Sequence, residues 1–346
     1  MNGIRSMGRT RHLPGDDFGL DAAAALLREG GLVAFPTETV YGLGADATRA
    51  EAVAGIYGAK DRPRFNPLIA HVANLEAARR EGVFNASALR LAEAFWPGPL
   101  TLVVPASATC SVSDLARAGL GSVGLRVPAH PIAAALLRRV SRPVAAPSAN
   151  RSGRVSPTLA SHVLVDLDGR IDAVVDGGPA KVGVESTILA CLGNGVRVLR
   201  PGGIPRDAIE ALVGPLATET AEDGKLLASG QLLISGQPLP PGQPLAPGML
   251  ASHYAPRARL RLNVEVVEPG EAVLLFGGHR PAGLERSGPR LDLSADGSLV
   301  EAAASLFAAL RSLDASGAAT IAVSPIPVSG LGEAINDRLE RAAAGR

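Results

Sequence analysis

A cationic segment interrupted by two prolines constrains this chain more than any other stretch. It runs from Lys60 to His71 with the sequence KDRPRFNPLIAH, and its prolines stand at positions 63 and 67. Because proline removes an amide donor and restricts the residue before it, the segment is predicted to be an extended loop rather than a helix. Side chains at i and i+2 of an extended segment share a face, which places Lys60, Arg62 and Arg64 together. This arrangement predicts a phosphate site, and the alternative is a charged loop that only faces solvent.

The charge balance favours a local anion site over a global one. The chain has 31 arginines and only 3 lysines, so a lysine at position 60 departs from its usual choice of cation. Its 34 basic and 33 acidic residues give a formal net charge of +1. With so little net charge, no overall field directs the protein toward nucleic acid or membranes, and anion binding must be local.

Length and composition predict two folded domains. At 346 residues the chain exceeds one ordinary core, and its 47% of hydrophobic residues can fill two. No run is long and apolar enough for a secretory signal or a membrane span, so no membrane contact is expected. The predicted divisions are a flexible tail at 1–18, a large α/β domain at 19–213, a proline-rich linker at 214–256 and a small α/β domain at 257–346.

The two cysteines predict neither a disulfide framework nor a zinc site. Cys110 and Cys191 are far apart in sequence, and no CxxC motif or Cys/His cluster occurs. This cysteine usage fits a reducing cytoplasm, and no metal ligands are assigned.

Small polar side chains follow two predicted strands. One strand ends shortly before Thr37 and Thr39, and another ends shortly before Ser148 and Asn150. Ligands of α/β folds dock where strands run into such residues. Ser156 then begins a candidate helix, whose backbone amides would suit a phosphate. The alternatives are threonines that face solvent and an ordinary serine-rich turn.

Two ionisable side chains lie inside apolar strands. His71 belongs to a strand at 68–72, and Arg126 to a strand at 122–127. A lone histidine in a strand is more often structural than catalytic. A buried arginine needs a partner, because an unpaired buried charge is costly. That partner is either a protein carboxylate or a substrate carboxylate held bidentately.

Common nucleotide-binding motifs do not account for the chain. Gly42-x-Gly44-x-x-Ala47 formally matches a dinucleotide fingerprint. The polar insertion before it breaks the required tight turn, and no acidic residue ends a second strand about twenty positions on. No P-loop, HExxH, GxSxG or kinase set occurs.

Five motifs, taken in order, resemble the YrdC-type family. The resemblance is dense over residues 20–213, and two further motifs resemble the long, two-domain form of that family. The five motifs are FPTETVYGL at 35–43, KDRP with NPLI at 60–69, PSAN at 147–150, ESTI at 185–188 and RPG at 200–202. The two-domain form is indicated by PGM and HYAP within 247–256 and by GLGEAINDRL at 330–339.

The resemblance implies a fold and an activity. The fold would be a twisted mixed α/β sheet with a positive concave cavity, followed by a small Rossmann-like domain. The activity would be L-threonylcarbamoyladenylate synthesis, a nucleotidyl transfer that makes threonylcarbamoyl-AMP and diphosphate from L-threonine, bicarbonate and ATP, with Mg²⁺ accompanying the nucleotide. The product would pass to the tRNA threonylcarbamoyl transferase machinery in the cytoplasm, for modification of adenosine 37 in tRNAs that read ANN codons.

The resemblance also implies roles for individual residues. Lys60 and Arg62 would be catalytic and would contact ATP. L-Threonine would be held by Thr37, Thr39, His71, Ser186 and, at its carboxylate, Arg126. The remaining ATP contacts would be Asn66, Ser122, Ser148, Asn150, Ser156, Arg200 and Tyr254.

Positioned cations and hydroxyls suit the implied chemistry. Carboxylated threonine must attack the α-phosphorus of ATP as diphosphate leaves, and the developing charge lies on phosphate oxygens. Such a reaction requires positioning and charge stabilisation more than an acid/base pair. The linker residues His253 and Tyr254 are predicted to fold over the cavity as a lid, since a mixed anhydride needs shelter from water. The alternative is that both residues anchor the start of the C-terminal domain.

Two other functions compete with this assignment. Carbamoyl transfer in hydrogenase maturation uses a similar domain, but those proteins also carry an acylphosphatase unit and CxxC zinc fingers, which this chain lacks. An RNA-binding module would use the same positive cavity, and a weak contact with tRNA or other RNA is compatible with the enzyme as well. The near-neutral charge and an aromatic content of 3% argue against stacking on bases.

Overall fold

The fold is taken from a computed structural model. Arg64 and most of the predicted linker lie outside the part of the chain that the structure describes. The described residues are 8–63, 65–193, 195–217, 245–247 and 253–344.

A ten-stranded mixed sheet forms the larger part of the molecule. It combines parallel and antiparallel neighbours, so the predicted mixed α/β class is confirmed. The spatial order is β1-β8-β2-β3-β7-β4-β6-β5-β9-β10. The strands are β1 (Arg11–Pro14), β2 (Val33–Phe35), β3 (Gly42–Asp46), β4 (Ile69–His71), β5 (Leu100–Pro105), β6 (Ser122–Arg126), β7 (Val144–Ala145), β8 (Ala173–Asp176), β9 (Thr187–Ala190) and β10 (Arg197–Arg200).

Several helices of this part begin at a capping side chain. The side-chain oxygens of Asp16, Asn74 and Asn85 accept hydrogen bonds from backbone N–H groups in the first turn of the helix that follows each of them. The helices are α1 (Asp17–Arg28), α2 (Ala50–Lys60), α3 (Leu75–Glu81), α4 (Ala86–Phe95), α5 (Asp114–Arg117), α6 (Pro131–Val140), α7 (Ala160–Leu167) and α8 (Arg206–Val213).

The two faces of the sheet are covered differently. Leu102 and Leu125 point to the first face, where they share an apolar core with α2, α4, α7 and α8. On the second face α1 and α6 pack together over β2 and β8. The neighbouring part of that face carries Ile69 and Ile188, which contact Ala246 of the linker instead of a helix. The second face therefore leaves room for a site beneath the linker.

The C-terminal part is a separate parallel sheet, and its core also includes Val40, Val155 and Val184 of the larger part. Its strand order is β11-β14-β12-β13, and every pairing is parallel. Leu306, Phe307 and Leu310 of α9 pack with Ile335 and Leu339 of α10 in that core. This agrees with the predicted small Rossmann-like unit. Its elements are β11 (Arg259–Arg261), β12 (Ala272–Leu275), β13 (Arg290–Asp292), α9 (Leu299–Ala315), β14 (Thr320–Val323) and α10 (Leu331–Ala343).

Two predictions about local structure are corrected. Residues 11–14 form β1, which pairs in parallel with β8, so this part of the predicted tail is a sheet edge. Lys60 is the last residue of α2, and Asp61 follows in the left-handed conformation. The loop therefore does not begin at Lys60, because Pro63 restricts only Arg62 directly and leaves the helix free to continue to position 60.

No helix within the described residues combines the length and apolar character needed to cross a membrane.

Candidate active site

Strand alternation brings polar side chains together on the second face. Successive residues of a strand point to opposite faces, so the residues beside Leu125 and Ala70 point away from the first core. These are Arg126 and His71, which lie directly opposite each other in neighbouring strands. Ser186, just before β9, reaches the same side and shares a hydrogen bond with Thr101 at 2.8 Å. The apolar strands therefore carry a polar patch on one face only.

A cavity of about 50 Å³ lies over this patch. It is lined by eight of the predicted site residues. It is also lined by a glutamate that precedes β9 and by a histidine of the linker. The predicted residues are Thr39, Arg62, His71, Arg126, Ser148, Ser186, Arg200 and Tyr254, and the additional ionisable residues are Glu185 and His253.

Arg126 is held by a protein carboxylate. Its Nη2 donates to Oε1 of Glu38 at 2.7 Å and to the hydroxyl of Thr39 at 2.9 Å. The other Glu38 oxygen accepts from the backbone amide of Ala129. Of the two partners open from the sequence, the carboxylate of Glu38 is the one present, and it orients the guanidinium toward the cavity.

Lys60 and Arg62 reach the site from the C-terminal end of α2. Lys60 is 1% exposed, and its ammonium donates to the backbone carbonyls of Ser148, at 2.5 Å, and Asn150. Arg62 lines the cavity and donates to the carbonyl of Pro67 at 3.3 Å. The two cations thus do not share one face of an extended strand, although both reach the same region.

Buried polar atoms without hydrogen-bond partners cluster at the site. Buried polar groups are normally paired, and an exception needs an explanation such as a ligand or water. Within the described residues these atoms are Nε of Arg62, Oδ1 of Asn66, Nδ1 of His71, Oδ1 of Asn150 and Nδ1 of His253, with Nε of Arg197 elsewhere.

Burial keeps the two histidines neutral and lowers the pKa of Lys60 and Arg62. Desolvation lowers the pKa of His71 to about 3, with a further contribution from Arg126, and lowers the pKa of His253 to about 3. Desolvation, followed by repulsion from Arg62, places the pKa of Lys60 well below its usual value. Desolvation also lowers the pKa of Arg62 to about 10. These are costs that an anionic ligand would relieve.

The other predicted residues lie around the cavity without lining it. Thr37 closes a turn by bonding to Thr39 and to the carbonyl of Val40, at 2.8 and 2.6 Å. Asn150 donates to the carbonyls of Arg151 and Arg154. Ser156 donates to Glu185 at 2.6 Å, and Ser122 lies beneath the linker residues 245–247 in an adjacent small pocket. Asn66 is buried, and its carbonyl accepts from Tyr57.

Several residues at the site were not identified from the sequence. Glu38 and Glu185 lie inside two of the motifs, so acidic residues within otherwise small polar motifs were the available signal. Thr101 alternates with buried leucines in β5, which is a weaker signal. Arg338 of α10 contacts Glu185, and its place inside the GLGEAINDRL motif was a signal that did not say which part of the molecule it would contact.

The described linker residues at 245–247 and 253–254 cover part of the second face. Ala246 is buried against Ile69 and Ile188, and the carbonyl of Pro247 accepts from Arg200 at 3.3 Å. His253 lies in the cavity wall, and its backbone amide donates to the carbonyl of Arg341.

Tyr254 lines the cavity and also packs against the C-terminal domain. Its ring stacks on Phe307 with centroids 5.7 Å apart. The lid and the anchor hypotheses are therefore compatible, because one pair of residues contacts both domains.

Two family models match the chain. Residues 25–202 match the Sua5/YciO/YrdC model, whose description reads "Telomere recombination". Residues 204–344 match the model of the threonylcarbamoyl-AMP synthase C-terminal domain.

Full-length relatives agree with both matches. A protein of Bacillus subtilis named threonylcarbamoyl-AMP synthase is 42% identical, over 97% of this chain and 96% of its own. The crystal structure of Pyrococcus abyssi Sua5 complexed with L-threonine superposes with a TM-score of 0.82 and 36% identity, covering 96% of this chain and 97% of that one. A Pyrococcus abyssi Sua5 variant with adjacent histidine and tyrosine changed to alanine gives a TM-score of 0.83 at 35% identity, with 96% of each chain covered.

Proposed function

The chain belongs to the Sua5/YciO/YrdC family of threonylcarbamoyl-AMP synthases, and we propose that the site described above makes threonylcarbamoyl-AMP and diphosphate from L-threonine, bicarbonate and ATP. Similarity to a synthase over nearly the full length of both chains supports the activity. One structural observation supports the assignment to this site. Buried polar atoms without hydrogen-bond partners and buried cations lie around one cavity. Such atoms favour an anionic, hydrogen-bonding ligand.

L-Threonine is proposed to bind beside Arg126. The Nη2 of this guanidinium is used by Glu38 and Thr39, and its Nε lies 3.4 Å from the carbonyl of Gly98. Within the described residues Nη1 makes no hydrogen bond, so that nitrogen can receive the substrate carboxylate. The neutral imidazole of His71 and the hydroxyl of Ser186 adjoin it and can read the polar groups of the amino acid.

ATP is proposed to bind along Lys60, Arg62 and Arg200. These side chains supply positive charge near the cavity, and Arg200 is already fixed by the carbonyl of Ser186 at 2.9 Å. In the proposed reaction the carbamate oxygen of carboxylated threonine attacks the α-phosphorus, and the bond to diphosphate breaks. Fixed cations stabilise the charge on the phosphate oxygens without reorganising.

Mg²⁺ is proposed to enter as part of the substrate, bound to ATP. The described residues contain no group of three or more His, Cys, Asp or Glu side chains placed to hold a metal ion. We propose that phosphate oxygens and water supply most of the Mg²⁺ ligands, as this cation prefers.

The linker is proposed to move during the reaction. A cavity of about 50 Å³ is far below the roughly 300–1,000 Å³ of small-molecule sites, so ATP does not fit beneath Pro247, His253 and Tyr254 in their described positions. The dipeptide His253-Tyr254 is the single His-Tyr pair of the chain, and we propose that it corresponds to the pair changed in the Pyrococcus abyssi variant. Its position fits a lid that closes over substrate and excludes water.

The product is proposed to pass to the tRNA threonylcarbamoyl transferase machinery for modification of adenosine 37. We also propose a weak contact with tRNA and a cytoplasmic location, where ATP and tRNA occur together. The free thiols of Cys110 and Cys191 fit a reducing compartment.

The test is a diphosphate-release assay with ATP and Mg²⁺, omitting L-threonine and bicarbonate in turn. Release that requires both, together with threonylcarbamoyl-AMP in the product mixture, is the expected result. Release that ignores threonine would contradict the assignment. Binding of RNA that falls steeply with salt and is indifferent to threonine would instead favour an RNA-binding module.

A further inference from the structure

An arginine of the C-terminal domain is completely buried against the candidate active site. Arg338 of α10 is 0% exposed. Its Nε contacts Oε2 of Glu185 at 2.7 Å, and its Nη2 donates to the carbonyl of Pro201 at 2.9 Å. Its guanidinium carbon lies 5.2 Å from the centre of the Tyr254 ring, which is within cation–π range.

Each of these three contacts lies beside a residue proposed to bind substrate. Glu185 precedes Ser186 and accepts a hydrogen bond from Ser156 through its other oxygen. Pro201 follows Arg200. Tyr254 is itself in the cavity wall. One guanidinium therefore joins the residues just before β9, the residue just after β10 and the linker.

The charge arrangement makes Glu185 dependent on Arg338. Burial raises the pKa of Glu185, but Arg338 and then Arg200 lower it, and the net shift is downward. Desolvation lowers the pKa of Arg338, but its contacts with Tyr254 and Glu185 raise it, and the net shift is upward. A buried ion pair is weak evidence for stability, since apolar residues of similar volume often serve as well. Its geometry is better explained by a need to hold specific groups in place.

We propose that Arg338 is a positioning residue through which the C-terminal domain completes the active site. It holds Glu185, and through it Ser156, and it fixes Tyr254 in the covering position over the cavity. The inference rests on the proposed function. It predicts that the C-terminal domain acts on catalysis through one side chain, in addition to any role as a scaffold.

A second ion pair between the same two parts of the molecule provides a matched control. Arg206 of α8 contacts Glu333 of α10 at 2.8 Å, with both side chains partly exposed. Neither residue lines the cavity. Arg206→Met removes an interdomain ion pair and none of the hydrogen bonds that Arg338 makes with Glu185 and Pro201.

The experiment compares the full-length variants Arg338→Met, Arg338→Lys and Glu185→Gln/Arg338→Met with the wild type and with Arg206→Met. Methionine keeps most of the volume, and the double variant leaves no unpaired carboxylate at Glu185, so it should fold even where the single variant does not. Thermal unfolding establishes that each variant is folded. The readouts are kcat and KM for ATP and for threonine, and the ratio of diphosphate released to threonylcarbamoyl-AMP recovered.

We expect kcat/KM for ATP to fall about 10²-fold in folded Arg338 variants, as small misplacements of catalytic groups do. The ratio of diphosphate to recovered product should rise, because a loosened Tyr254 admits water. Lysine should not restore activity, since it lacks the planar fork. Arg206→Met should keep the wild-type values of both readouts.

Wild-type kinetics and an unchanged ratio in the folded double variant would overturn the inference while leaving the function intact. Equal losses in Arg338→Met and Arg206→Met would also overturn it, because both would then report only domain association. A wild-type protein that releases no threonine-dependent diphosphate would overturn the proposed function, and the inference with it.

Discussion

Arg126 and Glu38 form a buried ion pair, with Nη2 and Oε1 2.7 Å apart and the two residues 4% and 8% exposed. The arginine comes from the middle of the sheet and the glutamate from the turn between β2 and β3. Because the pair uses Nη2 of the guanidinium, it can orient Arg126 without consuming its capacity to bind a carboxylate.

Replacing Arg126 with lysine should therefore weaken threonine binding although the charge is kept. We expect KM for L-threonine to rise about 10- to 100-fold, the equivalent of about 1.5–3 kcal/mol for a charge-assisted contact. Steady-state kinetics with threonine varied measures the change. Arg142→Lys is the control, because Arg142 also pairs with a buried carboxylate, that of Asp46, away from the cavity. A KM unchanged in Arg126→Lys would remove Arg126 from the threonine site.

Removing the buried ammonium of Lys60 should impair the use of ATP. Lys60→Met keeps the apolar stem and relieves desolvation, so the variant should remain folded. Loss of one phosphate contact should lower kcat/KM for ATP by about 10- to 100-fold, again about 1.5–3 kcal/mol. Arg62→Ala should behave similarly, while the exposed Lys181→Met should match the wild type. Near-normal efficiency in both Lys60→Met and Arg62→Ala would refute the phosphate site.

The site should select threonine over valine, which lacks only the hydroxyl. Valine cannot make the hydrogen bond that the hydroxyl of threonine is expected to make with the polar side chains of the cavity, and sites that read a hydroxyl discriminate by about 10⁴-fold or more. Competition between the two amino acids in the diphosphate-release assay measures the ratio. Equal use of serine would indicate a loose pocket around the methyl group. If valine were used as well as threonine, the hydroxyl would not be read.

Stability should fall when the pH is lowered from 7 to 5. His71 and His253 have folded-state pKa values of about 3, so the unfolded chain takes up protons below about pH 6.5 that the folded protein refuses until about pH 3. Their contribution is complete above pH 6.5 and is lost as the pH falls, by about 2 kcal/mol per histidine at pH 5. Urea unfolding at both pH values measures it. His253→Gln should show a shallower pH dependence, and an identical dependence would contradict the burial of a neutral imidazole there.

Closure of the linker should depend on His253. In the wild type, ATP with threonine should protect residues 214–256 from protease, and His253→Ala should reduce this protection and slow product formation, because one cavity-wall contact is gone. Limited proteolysis with and without substrates measures both states. His279→Ala is the control, since His279 bonds to Ser324 within the C-terminal domain. Full activity and full protection in His253→Ala would show that the linker only tethers the domains.

Much of the fold could be predicted because it is recorded in local patterns. Apolar runs that contain Arg126 and His71 located two strands, and the structure then showed that the two side chains lie opposite each other. The motif resemblance predicted the mixed sheet, the small Rossmann-like C-terminal domain and the synthase family, all of which were confirmed. Glycine-rich β3 was missed, because residues 42–46 lack the branched side chains that mark a strand and are held by pairing with β2 and β7.

The sequence by itself determined which residue types were available and which of them fell on one face of a strand, since those depend on neighbours a few positions apart. Only the tertiary structure decided where long side chains ended. The ammonium of Lys60 turned from a helix end to the carbonyls of Ser148 and Asn150, and Arg338 reached Glu185 across 153 positions. Such contacts arise when separate elements pack, and no local periodicity records them, because the favourable energy exists only once the two surfaces have met.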